Sequence, residues 1–132
     1  MTGGAFFDTN VPLCRLAGDA AKASRAEDLL AEGGTISVQV LSEFVAVARR
    51  KLATPWDEVE VSWAALRHVC RVGPLSARIH ERAVALAKHY GFSIYDATIA
   101  ANAIQSGCIT LHSEDFQHGQ KLEGLTIIDP FR

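Results

Sequence analysis

The sequence predicts an α/β fold, with a central, mainly parallel sheet of about five short strands flanked by helices. Three observations predict it. Short apolar runs alternate with longer segments of helical periodicity, the order expected of successive βαβ units. At 132 residues the chain suits a single domain, 1–132, with one sizeable core. Its apolar fraction of 48% and charged fraction of 21% are those of an ordinary globular domain, so disorder is not expected.

Residues 5–8 form a short buried strand by this pattern, and Pro12 suits the first turn of a helix. Over 19–32, Ala20, Ala23, Ala26, Leu29 and Leu30 recur at helical spacing, and Gly33-Gly34 stops the run. A second strand is expected over 35–38. The next helix, 40–52, has Leu41, Phe44, Val45 and Ala48 on one face. Arg49-Arg50-Lys51 at its end complements the helix dipole. Thr54-Pro55-Trp56-Asp57-Glu58 predicts a cap, a first-turn proline and first-turn acids. The helix opened there turns Val59, Trp63, Leu66 and Val69 inward. Residues 70–72 are a candidate third strand. A helix over 76–90 carries the stripe Ile79, Ala83, Leu86 and Ala87 and ends at Gly91. An alanine-rich helix over 93–106 is closed by Gly107, and strands follow at 108–111 and 125–128. The chain shows no repeat, linker or low-complexity segment.

The net charge of -2 and pI of about 6.2 argue against a passive nucleic-acid binder held by bulk charge. A protein whose acidic cluster is neutralised by metal remains compatible with a nucleic-acid ligand. Cys14, Cys70 and Cys108 are odd in number and widely spaced, so no disulfide framework is expected and a reducing cytoplasm suits them. The N-terminus has no basic segment followed by an apolar run, so no signal peptide is expected. No apolar run approaches ~18 residues, so no transmembrane helix is expected either.

Four acids stand out: Asp8, Glu43, Asp96 and Asp115. Each borders an apolar segment, where a charge must be paired, neutralised or bound to metal. No Lys or Arg lies within a helical turn of Asp8 or Asp96. One shared divalent cation explains all four. In an open α/β sheet, sites form beyond the carboxyl ends of strands, and Asp8 and Asp115 follow two strands there. Oxygen-rich sites prefer hard ions such as Mg²⁺ or Mn²⁺. Such ions orient and deprotonate water and stabilise charge on a phosphodiester. Thr9, Asn10 and Ser113 add neutral groups near the acids.

Simpler roles compete. Asp8 or Asp96 could cap a helix, Glu43 could be a half-exposed helix residue, and Asp115 a solvated turn residue. His68, His112 and His118 lack zinc-site spacing and suit solvated surface better. Trp56 and Trp63 suit the core or a partner better than a nucleobase. Arg49 and Arg50 normally mark a solvated helix end, yet they follow Glu43 closely enough to be candidates for a phosphate contact.

The residues then carry a resemblance. Asp8-Thr9-Asn10 after a strand, Ser42-Glu43-Phe44 on a helix, Tyr95-Asp96-Ala97-Thr98-Ile99-Ala100-Ala101, and Ser113-Glu114-Asp115-Phe116 occur in that order. This resembles the PIN-domain nucleases, and among them the VapC-type toxins of toxin–antitoxin pairs. The resemblance implies a three-layer fold and Mg²⁺- or Mn²⁺-dependent RNA cleavage by an activated water. It also implies metal-site acids at Asp8, Glu43, Asp96 and Asp115, a hydroxyl at Ser113, and Asn10 after the first acid. Glu114 competes with Asp115 for the last role. A cognate antitoxin and a homodimer are implied as partners. Val45, Val47, Leu52, Trp56, Val59, Val61 and Trp63 are candidates for the interface.

Three alternatives compete with this reading. A phosphoacceptor receiver domain wants paired acids after the first strand and a Lys after a late one; this chain has Asp8 alone and no Lys after 108–111. A non-catalytic module of the same fold has no need of four retained acids. A haloacid-dehalogenase phosphatase would need a second Asp where Asn10 stands.

Overall fold

Strand β1 (Ala5–Phe7) lies inside a six-stranded sheet. The computed structural model describes residues 4–132. The other strands are β2 (Gly34–Ser37), β3 (Cys70–Gly73), β4 (Thr110–His112), β5 (Lys121–Leu122) and β6 (Leu125–Ile128), in the order β3-β2-β1-β4-β6-β5. Only β5 and β6 pair antiparallel. The helices are α1 (Asn10–Leu13), α2 (Ala20–Ala31), α3 (Val38–Arg50), α4 (Trp56–Val69), α5 (Ala77–Tyr90) and α6 (Ile94–Gln105).

This is the predicted α/β architecture, with one strand more than expected. β5 has two residues, too few for any apolar pattern. It joins β6 through Glu123-Gly124, both at positive φ, the geometry of a tight hairpin turn. Glu is an unusual residue there, so the turn carried little sequence signal.

Several boundaries move for local reasons. Helix α3 starts at Val38 because the Ser37 hydroxyl accepts the Val40 N–H at 3.2 Å and caps it. Strand β4 starts late because the Cys108 N–H bonds to Ala103 O and completes the exit of α6. Thr54 is not the cap of α4: Pro55 holds that position in an extended conformation, with no side-chain cap. Val69 is 38% exposed rather than inward, while Val59 and Leu66 are buried as expected.

Helices α5 and α6 pack on each other, and α1 to α4 form a second mutually packed group. The core between them is built from Phe6, Phe7, Ile36, Phe44, Ile99, Leu111 and Ile127. Gly73 lets α6 approach β3: a Cβ there would lie 2.5 Å from Asn102 Oδ1. Asn102 is buried and donates to Pro74 O at 2.9 Å, fixing α6 against the sheet.

Candidate metal centre and active site

Order in the sheet reverses at β1. The chain runs outward through β2 and β3, then returns to place β4 on the other side of β1. A crevice opens at such a switch point, beyond the carboxyl ends of the strands. Asp8 is the residue directly after β1, and Asp115 lies three residues beyond β4. Asp96 reaches the same place from the first turn of α6.

Asp8 is buried at 3% exposure, and neighbours hold both its oxygens. The Thr9 N–H donates to Oδ1 at 2.7 Å, and the Ser113 hydroxyl donates to Oδ2 at 2.6 Å. Ser113 is fully buried, and its Oγ accepts the Asp115 N–H at 3.0 Å. Asn10 Nδ2 donates to Asp115 Oδ2 at 3.3 Å. Glu43 accepts from Thr9 Oγ1 at 2.7 Å. Helix capping explains neither Asp8 nor Asp96. Asp8 gives α1 no side-chain cap, and Ser93 caps α6 by accepting the Asp96 N–H at 3.1 Å.

Asp8, Asp96 and Asp115 each offer an oxygen, and these oxygens lie within 4.8 Å of one another. Glu43 is not in that triad; Thr9 holds it one step further out. Among the described residues the two ion pairs are Lys22–Glu114 and Arg82–Glu123, so none of the four acids has a basic partner. Burial pushes the Asp8 carboxyl up to about 7, against the Ser113 and Thr9 hydrogen bonds, and the Asp115 and Asp96 charges add to the rise. Burial also raises Asp96, helped by the Asp115 and Glu43 charges and opposed by Ser93.

The donor set fits a hard divalent cation. Three carboxylate oxygens within 4.8 Å of one another are donors that one such ion would accept. A second observation agrees. Asn10 Nδ2 is committed to Asp115, which fixes the amide, and leaves Asn10 Oδ1 buried without a partner. The hydration water of a cation would supply the missing donor.

Other candidates have different surroundings. Glu114 turns away and binds Lys22 at 2.8 Å, leaving Asp115 alone at the triad. Arg49 donates to Thr54 O at 2.9 Å and lies over the Trp56 ring at 4.6 Å, so it braces the α3–α4 turn. Arg50 is exposed. His112 is not solvated: it is half-buried and stacked on Phe7, and burial lowers its pKa. His118 is exposed, and its Nδ1 accepts the Asp129 N–H at 3.0 Å. Gln39 stands outside the sequence candidates. Its Nε2 donates to Tyr95 O at 3.1 Å and to Glu43 Oε2 at 3.5 Å. The available signal was its place four residues before Glu43 on one helix face.

The model of the PIN domain family matches residues 5–121, and the chain belongs to that family. None of the curated proteins compared matches it. Among solved structures it is similar to VapC20 of Mycobacterium tuberculosis, described as a sarcin–ricin loop cleaving toxin. The identity is 29% with a TM-score of 0.65, covering 84% of this chain and 89% of that one. A toxin–antitoxin complex from Klebsiella pneumoniae shares the fold at 23% identity and TM-score 0.73, covering 96% and 97%. DNA-bound VapBC from Salmonella typhimurium does so at 19% and 0.67, covering 98% and 99%.

Proposed function

We propose that this chain is a Mg²⁺- or Mn²⁺-dependent endoribonuclease acting as the toxin of a toxin–antitoxin pair in the cytoplasm. One observation carries this: Asp8, Asp96 and Asp115 converge at the switch point with no basic partner. Membership of the PIN family and the printed loop-cleaving role of VapC20 support it.

The triad would hold the ion. When bound there, the metal supplies charge neutralisation for the phosphodiester and lowers the pKa of the attacking water. The chain's own groups set the geometry. Ser113 and the Thr9 N–H fix the Asp8 carboxylate plane, and Asn10 and Ser113 fix Asp115. Glu43, oriented by Thr9 and Gln39, positions the water or a second ion. Arg50, about 10 Å along α3 from Glu43 at 1.5 Å per residue, is the free candidate for a phosphate contact. The products are a 5′-phosphate and a 3′-hydroxyl.

Incubation of a mixed RNA pool with Mg²⁺ or Mn²⁺ tests this. Wild type cleaves; Asp8→Asn and Asp96→Asn do not. A 2′,3′-cyclic phosphate end would rule out water attack, since it requires the ribose hydroxyl as nucleophile.

The α3–α4 face suits the proposed homodimer and antitoxin. Val61 is 72% exposed and Trp56 54%, and a groove of about 450 Å³ runs between Val38, Leu41, Val45 and Trp63. Val59 is buried and drops out of that surface. No helix among the described residues is long and apolar enough to cross a membrane. Light scattering checks the dimer. Full activity in a tight complex with the product of a neighbouring gene would sink inhibition by an antitoxin.

A further inference from the structure

Tyr95 is 69% exposed, directly before Asp96 in the first turn of α6. The other exposed aromatics are occupied. Trp56 lies under Arg49 at 4.6 Å, and Tyr90 stacks on Phe92 at 5.5 Å. Among the described residues, Tyr95 has no aromatic or cationic partner. Its backbone is nonetheless fixed. Gln39 Nε2 bonds both Tyr95 O and Glu43 Oε2, so one amide ties the turn beneath this ring to the acids. Both of those partners are acceptors, which leaves Gln39 Oε1 buried and unpaired. An unpaired buried acceptor has a cost, and it accompanies a brace between two helix N-termini at the site.

We propose that Tyr95 is a stacking platform for one unpaired base beside the scissile phosphate, positioned by Gln39; this rests on the nuclease reading above. Tyr95 and Asp96 are consecutive in α6, about 3.8 Å apart at Cα, so a base stacked on the open ring would bring its phosphate into the neighbourhood of the triad. Duplex bases have both faces covered by neighbours, so the platform selects RNA that is single-stranded or looped at the cut. Tyr95 is then a specificity-determining residue and Gln39 a positioning one.

The test walks one abasic nucleotide through a short single-stranded RNA that the protein cleaves. Binding is read by anisotropy in Ca²⁺ and cleavage by single turnover in Mg²⁺. One abasic position should weaken wild-type binding about tenfold, the scale of one base–aromatic stack. Tyr95→Ala should lose the same factor on intact RNA and nothing more on the abasic strand. Tyr95→Phe should stay within about twofold of wild type, because the π face remains. Gln39→Ala should shrink the abasic penalty, a difference that loss of Glu43 orientation alone would leave unchanged. Wild-type binding by Tyr95→Ala with an unchanged abasic profile overturns the platform and leaves the nuclease intact. A wild type that neither binds nor cleaves RNA overturns the nuclease reading, and the platform with it.

Discussion

Glu114 and Asp115 are neighbours in the chain and belong to opposite electrostatic settings. Glu114 sits at a half-exposed corner against Lys22, its charge matched at 2.8 Å. Asp115 faces Asp8 and Asp96, where three carboxylates crowd together and the described residues supply no cation. The fold therefore provides a counter-ion where none is needed for chemistry. It supplies none to the triad, whose innermost member, Asp8, is buried while Asp115 stands at its open edge. A structural ion pair and an unpaired cluster of acids differ in this respect, not in acid content.

The largest effect should come from neutralising the crowded side. Asp8→Asn or Asp96→Asn should lower cleavage by at least about a hundredfold, as loss of a metal ligand does. The same change should raise the melting temperature of the metal-free protein, because a buried like charge is gone. Single-turnover cleavage and a melt in chelator check both halves. A variant that loses activity and also stability in chelator would mean that Asp8 is structural.

The pH dependence sharpens the contrast further. Asp8 is raised from its ordinary 3.8 to about 7, so the folded state binds its proton more tightly than the unfolded chain does. That contribution is present in full below about pH 4 and is lost as pH rises through about 7. It amounts to roughly 4 kcal/mol at most, by linkage. Metal-free protein should thus lose stability between about pH 4 and 7, and Asp96 adds in the same direction. Mn²⁺ should reverse the slope, since it replaces the proton. Denaturant melts of wild type and Asp8→Asn check it, and an equal slope in both would reject the assignment.

The acids were legible because a charge beside Phe6-Phe7 or Ile99-Ala100-Ala101 conflicts with its surroundings. Ser113 and Asn10 were legible through their place next to those acids. Helix spans were legible through periodicity, and their ends less so, because Ser37 rather than Val40 opens α3 and Pro55 displaces Thr54 as a cap. The choice between Glu114 and Asp115 was not legible. It depends on Lys22, 92 residues away in sequence, meeting one of two adjacent carboxylates. The Gln39–Tyr95 brace was hidden for the same reason, because it spans 56 residues and forms only after α3 and α6 pack.

A smaller effect should follow from Ser113→Ala. The change removes the donor to Asp8 and the acceptor of the Asp115 N–H, without touching a carboxylate. Loss of such an orienting group typically lowers metal affinity about ten- to hundredfold. The Asp115 N–H would also be left without its partner, at a cost of about 1–3 kcal/mol if it stays dry. Calorimetric Mn²⁺ titration separates the two consequences. Ser113→Thr should recover part of the affinity if the hydroxyl is what matters.

The smallest effect tests the comparison most directly. Glu114→Gln removes the charge beside Asp115 and breaks the Lys22 pair, yet it leaves the triad's oxygens in place. Half-exposed pairs of this kind contribute little, so cleavage and Mn²⁺ affinity should each change by less than about fivefold. The small change that remains should fade in high salt, because the pair faces solvent. Asp115→Asn, one residue on, should instead resemble Asp96→Asn. If Glu114→Gln proves as damaging as Asp115→Asn, the turn after β4 moves when metal binds. Glu114 then leaves Lys22 for the ion, and the division between the two regions belongs only to the metal-free state.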